Sequence, residues 1–295
     1  MNFVLQLGVC FLLIGASFLT AEQKVVLISG GTGGIGQGAI QAFEEKGWKV
    51  WAGYRKTSQR ALKNSDNIRW IPLDVTDDQE IAKCVQTLIE EEGRIDALIN
   101  NAGYGLIALE ETASIDEVHK LFDVNFFGSL KLIQQVVPHM QSQGFGHIIN
   151  ISSTSGVRAL PGLGLYAASK FALEGLSEAL SATLSPWNIQ VAIIQPGTVQ
   201  NDFAKHCALS KPDKAHPFAQ KLSENLLNKL STLSTTGQSC EEIGRLIVEV
   251  AETKKPNLRY QTSLKVEETV LKKLVDPSGN KLRDEQLLFL KTLIE

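Results

Sequence analysis

Between residues 24 and 197 the chain alternates short apolar runs with longer stretches of mixed character. "KVVLISG" (24–30) is apolar almost throughout and ends in glycine, which predicts a strand buried on both faces, as parallel strands are. "WKVWAGYR" (48–55), "IRWIPLDV" (68–75), "DALINNAG" (96–103), "GHIINISS" (146–153) and "IQVAIIQPG" (189–197) predict five more strands. The stretches between them carry apolar residues at helical spacing. "GIGQGAIQAFEEKG" (34–47) closes on Gly47, and "DDQEIAKCVQTLIEEEG" (77–93) has acidic residues in its first turn and a glycine at its end. A long helical segment is predicted over about 114–142, and another from Leu165 to about Leu184. Each crossover must return the chain to the same strand direction. The alternation therefore predicts an α/β fold: a doubly wound parallel sheet with helices on both faces.

After Gly197 the alternation stops. Residues 198–240 are polar and irregular apart from an amphipathic run at 217–231; a helix at about 241–253 and a short extended piece, "LRYQT" (258–262), follow. No repeat or linker separates a second unit, so residues 24–295 are expected to form a single domain in which 198–256 is a substrate-side insertion. Hydrophobic residues at 43% and charged residues at 21% suit a globular domain with a core. The net charge of −3, with no basic stripe, argues against a nucleic-acid partner. Cys10, Cys84, Cys207 and Cys240 form no CxxC, and the histidines have no metal-ligand spacing; neither a disulfide framework nor a metal site is expected. Of the histidines, only His206 and His216 lie in the insertion, where they are candidates to face a substrate.

One segment departs from this balance. Met1 to Ala21 carries no charged side chain. About 20 such residues span a bilayer as a helix. Residues 1–23 are thus expected to be an apolar signal or anchor segment. Small residues (Ala16, Ser17, Ala21) lie near a possible cleavage point, while the lack of Lys or Arg at the start speaks for an anchor. Both readings stay open.

The candidate chemistry begins at "SGGTGGIG" (29–36), between the first strand and the first helix. Gly30, Gly34 and Gly36 allow a tight turn and close approach of a pyrophosphate to the helix N-terminus. At the end of the second strand an NAD site places an acidic residue for the ribose hydroxyls, but here Tyr54 is followed by Arg55 and Lys56. A guanidinium forks onto a 2′-phosphate, so NADP(H) is expected in preference to NAD(H). Further on, "LYAASKFALEGL" (165–176) puts Tyr166 and Lys170 on one helical face, one turn apart. A free phenol titrates near pH 10, and a neighbouring ammonium favours its phenolate, so this pair is a candidate for moving a proton.

The G-x-x-x-G-x-G spacing of the glycine loop, followed in order by "LDVTD" (73–77), "NNAG" (100–103), "DVNFFG" (123–128), "NISS" (150–153), "YAASK" (166–170) and "PGTV" (196–199), resembles the short-chain dehydrogenase/reductases over Lys24 to Phe203. "YAASKFALEGLSEAL", "LRYQT" and "KLVDPSG" (273–279) are most similar to the branch of 17β-hydroxysteroid and photoreceptor retinol dehydrogenases.

The resemblance implies a Rossmann-type fold and a set of roles. Thr32 and Ile35 would join the glycines at the cofactor, Asp74 and Val75 would meet the adenine, and Asn100, Asn101, Ala102 and Gly103 would line its ribose side. Pro196, Gly197 and Val199 would border the nicotinamide. Tyr166 would be the acid/base and Lys170 would hold the nicotinamide ribose; Ser153 would bond the substrate oxygen, and Asn125 would hold a water leading from Lys170 to solvent. Two residues depart from the family pattern: Ser29 stands in place of Thr, and Asn201 in place of a Thr that contacts the carboxamide. The implied activity is oxidoreduction of a carbonyl or alcohol on a bulky apolar, steroid- or retinoid-like molecule. A ketoacyl or sugar carbonyl is the alternative substrate, and a non-catalytic NADP(H) sensor the alternative class. The resemblance also implies a homo-oligomer formed through the Tyr166 helix. With the apolar segment, it suggests a membrane-associated protein whose domain faces the cytoplasm; a cytoplasmic or exported protein is the alternative.

Overall fold

Alternate residues of the first strand serve opposite halves of the core. Val26 and Ile28 join one buried apolar cluster and Val25 and Leu27 join another, the period of two that a strand covered on both faces requires. The computed structural model describes residues 22–58, 62, 65–211, 216–276 and 278–294. The expected signal or anchor lies at 1–21, outside the described residues. Among the described residues no helix is long and apolar enough to cross a membrane.

The strands are β1 (Val25–Ile28), β2 (Lys49–Tyr54), β3 (Ile68–Pro72), β4 (Ala97–Asn100), β5 (Leu106–Ile107), β6 (Gly146–Ile151), β7 (Ile189–Gln195), β8 (Ala208–Leu209) and β9 (Arg259–Gln261). Among the described residues seven of them form one parallel sheet in the order β3-β2-β1-β4-β6-β7-β9. The "LRYQT" piece is thus its edge strand. β5 and β8 pair separately, and the sequence pattern does not predict them because each is only two residues long.

The helices that follow the early strands are α1 (Gly34–Glu45), α2 (Asp78–Glu92), α3 (Ile115–Phe122), α4 (Gly128–Gln143) and α5 (Gly164–Thr183). Asp77 starts α2 by accepting from the Gln79 and Glu80 N–H groups, and Gly93 ends it in the left-handed region at φ 71°. Ser114 and Glu117 form a capping box at α3. The helix expected over 114–142 runs through, but it is not uniform: a π-helical turn, Asp123–Phe127, joins α3 to α4. Such turns are found mostly at functional positions.

The C-terminal third comprises α6 (Phe203–His206), α7 (Pro217–Leu233), α8 (Cys240–Glu252), α9 (Leu264–Leu274) and α10 (Asn280–Ile294). The expected insertion divides in two. Residues from α6 and α7 gather in an apolar cluster with Tyr166, whereas α8 packs on α1 and completes one face of the sheet. α8 and α1 cross backbone to backbone. A Cβ on Gly244 would lie 2.2 Å from the Gly38 carbonyl oxygen, and one on Gly38 would lie 2.1 Å from that of Cys240.

Gly244→Ala should therefore destabilise the fold. Forcing these backbones apart costs about 1–3 kcal/mol, which would appear as a lower midpoint in urea unfolding. An unchanged midpoint would show that the crossing tolerates a methyl group.

Candidate active site

β1 lies between β2 and β4, and the chain leaves β1 and β4 in opposite directions across the sheet. At such a switch point the carboxyl ends of the two strands open a crevice. Two loops meet there. Ser29, buried at the end of β1, accepts through Oγ from the Asn101 N–H at 3.0 Å and the Ala102 N–H at 3.1 Å. Asn101 answers with Nδ2, which donates to the Ser29 and Gly30 carbonyls at 3.1 and 2.9 Å. The glycine loop folds so closely that a Cβ on Gly36 would sit 2.4 Å from the Gly30 oxygen.

α1 begins beyond Gly33 with no side-chain cap and no acidic residue in its first turn. α2, α3 and α8 all carry side-chain caps. The α1 terminus thus keeps free N–H donors and positive dipole for an anion, and the glycine cradle leaves room for it; these residues fit a dinucleotide pyrophosphate. Thr32 and Ile35 are half-buried within this loop, Ile35 against the core.

The remaining cofactor candidates divide by orientation. Arg55 is exposed at the carboxyl end of β2, and no ion pair holds it among the described residues. Lys56 is bound to Glu80 at 2.6 Å, and Glu80 also accepts from the Asp74 N–H. Asp74 accepts through Oδ1 from the Thr76 N–H and hydroxyl at 2.9 and 2.7 Å. The Val75 side chain is buried in the core against Gly128, which leaves only its main chain for a base. Asn100 is a correction to the expected set. Its side chain turns inside the sheet and donates to Asn150 at 2.8 Å, so its neighbour Asn101 is the residue that reaches the loop. Pro196 and Val199 are buried and Gly197 half-buried. Asn201 closes over Gly34, with its Oδ1 accepting from the Phe203 N–H at 2.9 Å.

The four residues expected to move the proton come together beside this crevice. Asn125, fully buried in the π-helical turn, accepts from the Tyr104 N–H at 3.0 Å and donates to the Tyr104 carbonyl at 2.9 Å and to Ser169 Oγ at 3.0 Å. Ser169 in turn donates to the Tyr166 carbonyl at 2.7 Å. Asn125 therefore ties the loop after β4 to the helix of Tyr166. A Cβ on Gly103 would meet Asn125 Oδ1 at 3.2 Å and Lys170 Nζ at 3.5 Å, so loop, amide and ammonium share one point. Lys170, 5% exposed, donates to the Ile151 carbonyl at 2.8 Å. Ser153 accepts from the Ser155 N–H at 3.0 Å and touches the Tyr166 phenol.

Burial sets the charges here. It pushes the Tyr166 phenol above its ordinary range, with Ser153 working against it, and pulls Lys170 down to about 8. In this arrangement burial outweighs any lowering of the phenol by Lys170. Its Nζ is 6.0 Å from the ring centre and is committed to Ile151, while apolar groups desolvate the hydroxyl.

Those apolar groups include side chains from the expected insertion and also from α10, which lies outside it. Tyr166 belongs to a cluster with Ile107, Leu109, Leu163, Leu222, Leu226 and Leu293. The Phe203 ring centre is 5.7 Å from its own, and burial lifts the Cys207 thiol to about 11, so that it is uncharged lining. Leu293 comes from α10, which is latched to α7 by Asn225 donating to the Leu293 carbonyl at 2.6 Å and Lys229 to Thr292 at 3.0 Å. The Leu282, Phe289, Leu293 spacing was the available signal. A cavity of about 290 Å³ adjoins the cluster at Leu109 and Ala219, and His216 borders it; His206 is exposed, with Nδ1 at 2.7 Å from the Asp202 carbonyl.

The family model for short chain dehydrogenases matches residues 24–211. The chain is 34% identical to a 3-ketodihydrosphingosine reductase of Bacteroides thetaiotaomicron over 81% of its own length and 87% of the relative. It is 32% identical to human retinol dehydrogenase 8, covering 89% of this chain and 88% of that one. A crystal structure of a short-chain dehydrogenase from Streptomyces avermitilis superposes with a TM-score of 0.74 at 27% identity, over 92% of this chain and 97% of the other.

Ser29→Ala should loosen the crevice. It strands two N–H groups that Oγ now satisfies, at a cost of about 1–3 kcal/mol. Fluorescence titration is expected to show weaker nicotinamide-dinucleotide binding by roughly tenfold, with Ser29→Thr close to wild type. Wild-type affinity in the alanine variant would contradict this role for Ser29.

Proposed function

The chain belongs to the short-chain dehydrogenase/reductase family, and from that premise we propose that it is an NADP(H)-dependent oxidoreductase for a bulky apolar carbonyl or alcohol, steroid- or retinoid-like. The observation that carries the substrate class is the apolar cluster of α7 and α10 side chains around Tyr166. A substrate reaching the phenol enters an apolar cluster that includes Leu222, Leu226, Leu293 and Phe203, and an apolar body does so without stranding a polar group. The names of the relatives, a retinol dehydrogenase and a 3-ketodihydrosphingosine reductase, support the same class.

The pyrophosphate would rest on the α1 N-terminus and the Gly30 to Gly36 loop, with Asp74, Val75, Asn101, Ala102 and Gly103 on the adenosine side and Pro196, Gly197 and Val199 on the other. Arg55, which no ion pair holds among the described residues while Lys56 is held by Glu80, is the group offered to a 2′-phosphate. Once bound, the nicotinamide supplies or accepts the hydride. Tyr166 gives its proton to the substrate oxygen in reduction and takes it back in oxidation, while Ser153 holds that oxygen. Lys170 stabilises the phenolate that remains, and Asn125 keeps the loop and the helix in register.

Two measurements test this reading. With NADPH, apolar ketones or aldehydes of steroid or retinoid size should be reduced with a kcat/KM more than about tenfold above that of small ketones. Tyr166→Phe should cut kcat by about 10²–10⁴-fold while cofactor binding persists. Full activity in that variant would remove Tyr166 from the chemistry. Separately, Arg55→Asp should reverse the preference between NADPH and NADH, and an unchanged ratio would show that the 2′-phosphate is read elsewhere.

A further inference from the structure

One helical turn beyond Lys170, α5 buries a carboxylate. Glu174 is 6% exposed, accepts through Oε1 from Gln195 Nε2 at 2.9 Å and through Oε2 from Arg259 Nε at 2.9 Å. Both donors come from the sheet. Gln195 ends β7 directly before Pro196, and Arg259 begins β9, where its other nitrogen meets Glu178 at 2.6 Å. A buried ion pair costs much of its own Coulomb gain in lost hydration, so it is weak as a device for stability alone. Its position suggests another role.

We propose that Glu174 is a positioning residue for Lys170: its negative charge, held one turn away by Gln195 and Arg259, keeps Lys170 an ammonium in the interior and so sets the alkaline limit of the reaction. The proposal rests on the reading of Tyr166 and Lys170 as the proton-transfer pair. Lys170 has lost nearly all its water and has one carbonyl, that of Ile151, as its hydrogen-bond acceptor among the described residues. Burial lowers its pKa, and Glu174 is the charge that raises it. Among the described residues the surroundings otherwise offer Lys170 little charge. The π-helical turn presents the Asn125 amide, β6 presents a carbonyl, and the Cys207 thiol beside Tyr166 is neutral. On α5 and β9, Arg259 offsets part of the field of Glu174, and Glu178 offsets part of that of Arg259.

The signs follow directly. Loss of the Glu174 charge destabilises the ammonium, so Lys170 deprotonates at lower pH. Loss of the Arg259 charge does the opposite. The test is a ¹³Cε-lysine NMR titration of the cofactor-free protein, with the Lys170 resonance identified by its disappearance in Lys170→Arg. The wild-type midpoint is expected near 8. It should fall by about one pH unit in Glu174→Gln and rise by about half a unit in Arg259→Gln, and Glu174→Asp should stay near wild type. The alkaline limb of kcat/KM with NADPH should move in the same directions.

A Lys170 midpoint unmoved in both charge-removing variants would overturn the proposal. Should Glu174→Gln fail to fold, Arg259→Gln alone decides, and an unchanged or lowered midpoint overturns it. Midpoints that move as expected while Tyr166→Phe remains fully active would sink the proton-transfer reading and leave the effect of Glu174 on Lys170 standing.

Discussion

Keeping an ammonium inside the protein is the constraint on which the site depends. Lys170 is almost without solvent, and a buried cation lowers its own pKa unless neighbouring groups favour the charge. The chain surrounds it with groups from three directions, the Ile151 carbonyl from β6, the Asn125 amide from the π-helical turn and Gly103 from the loop after β4, and places the Glu174 charge one turn along its own helix. Each is positioned by an element that the sheet holds in register. A shift in the switch point between β1 and β4 would move the loop of Gly103, and straightening of the π-helical turn would withdraw Asn125.

The same burial divides the work between the two halves of the molecule. The first two-thirds build a crevice from backbone: an uncapped helix, a glycine cradle and loops knitted by Ser29 and Asn101. The last third builds an apolar cover from side chains: Phe203, Leu222, Leu226 and Leu293. The crevice is suited to a charged, polar cofactor, and the cover is apolar. Tyr166 stands where they meet, with a phenol whose pKa burial raises.

Much of this was legible in the sequence because its signals are local. Six strands, the glycine loop and the Tyr166–Lys170 spacing each lie within a short window, and their structural counterparts fall where the pattern puts them. Asn100 was misjudged because its role depends on strand parity. It shares a face with Leu98 rather than with Ile99, and so points into the sheet towards Asn150. β5 and β8 were out of reach for a different reason, being two residues long and paired across about 100 positions. The contribution of α10 depends on tertiary docking to α7, and that of Glu174 on an arginine 85 residues away. Periodicity marks a helical face as apolar without saying which site it closes.

The most direct test of the account is to follow the hydride itself. NADPH carrying deuterium at the transferable C4 position is incubated with the protein and a retinoid-sized aldehyde or steroid ketone, and the product is examined by mass spectrometry. The account predicts one deuterium on the carbinol carbon and an exchangeable solvent proton on its oxygen. Product without label, or no alcohol from any apolar carbonyl while the cofactor is bound, would contradict it.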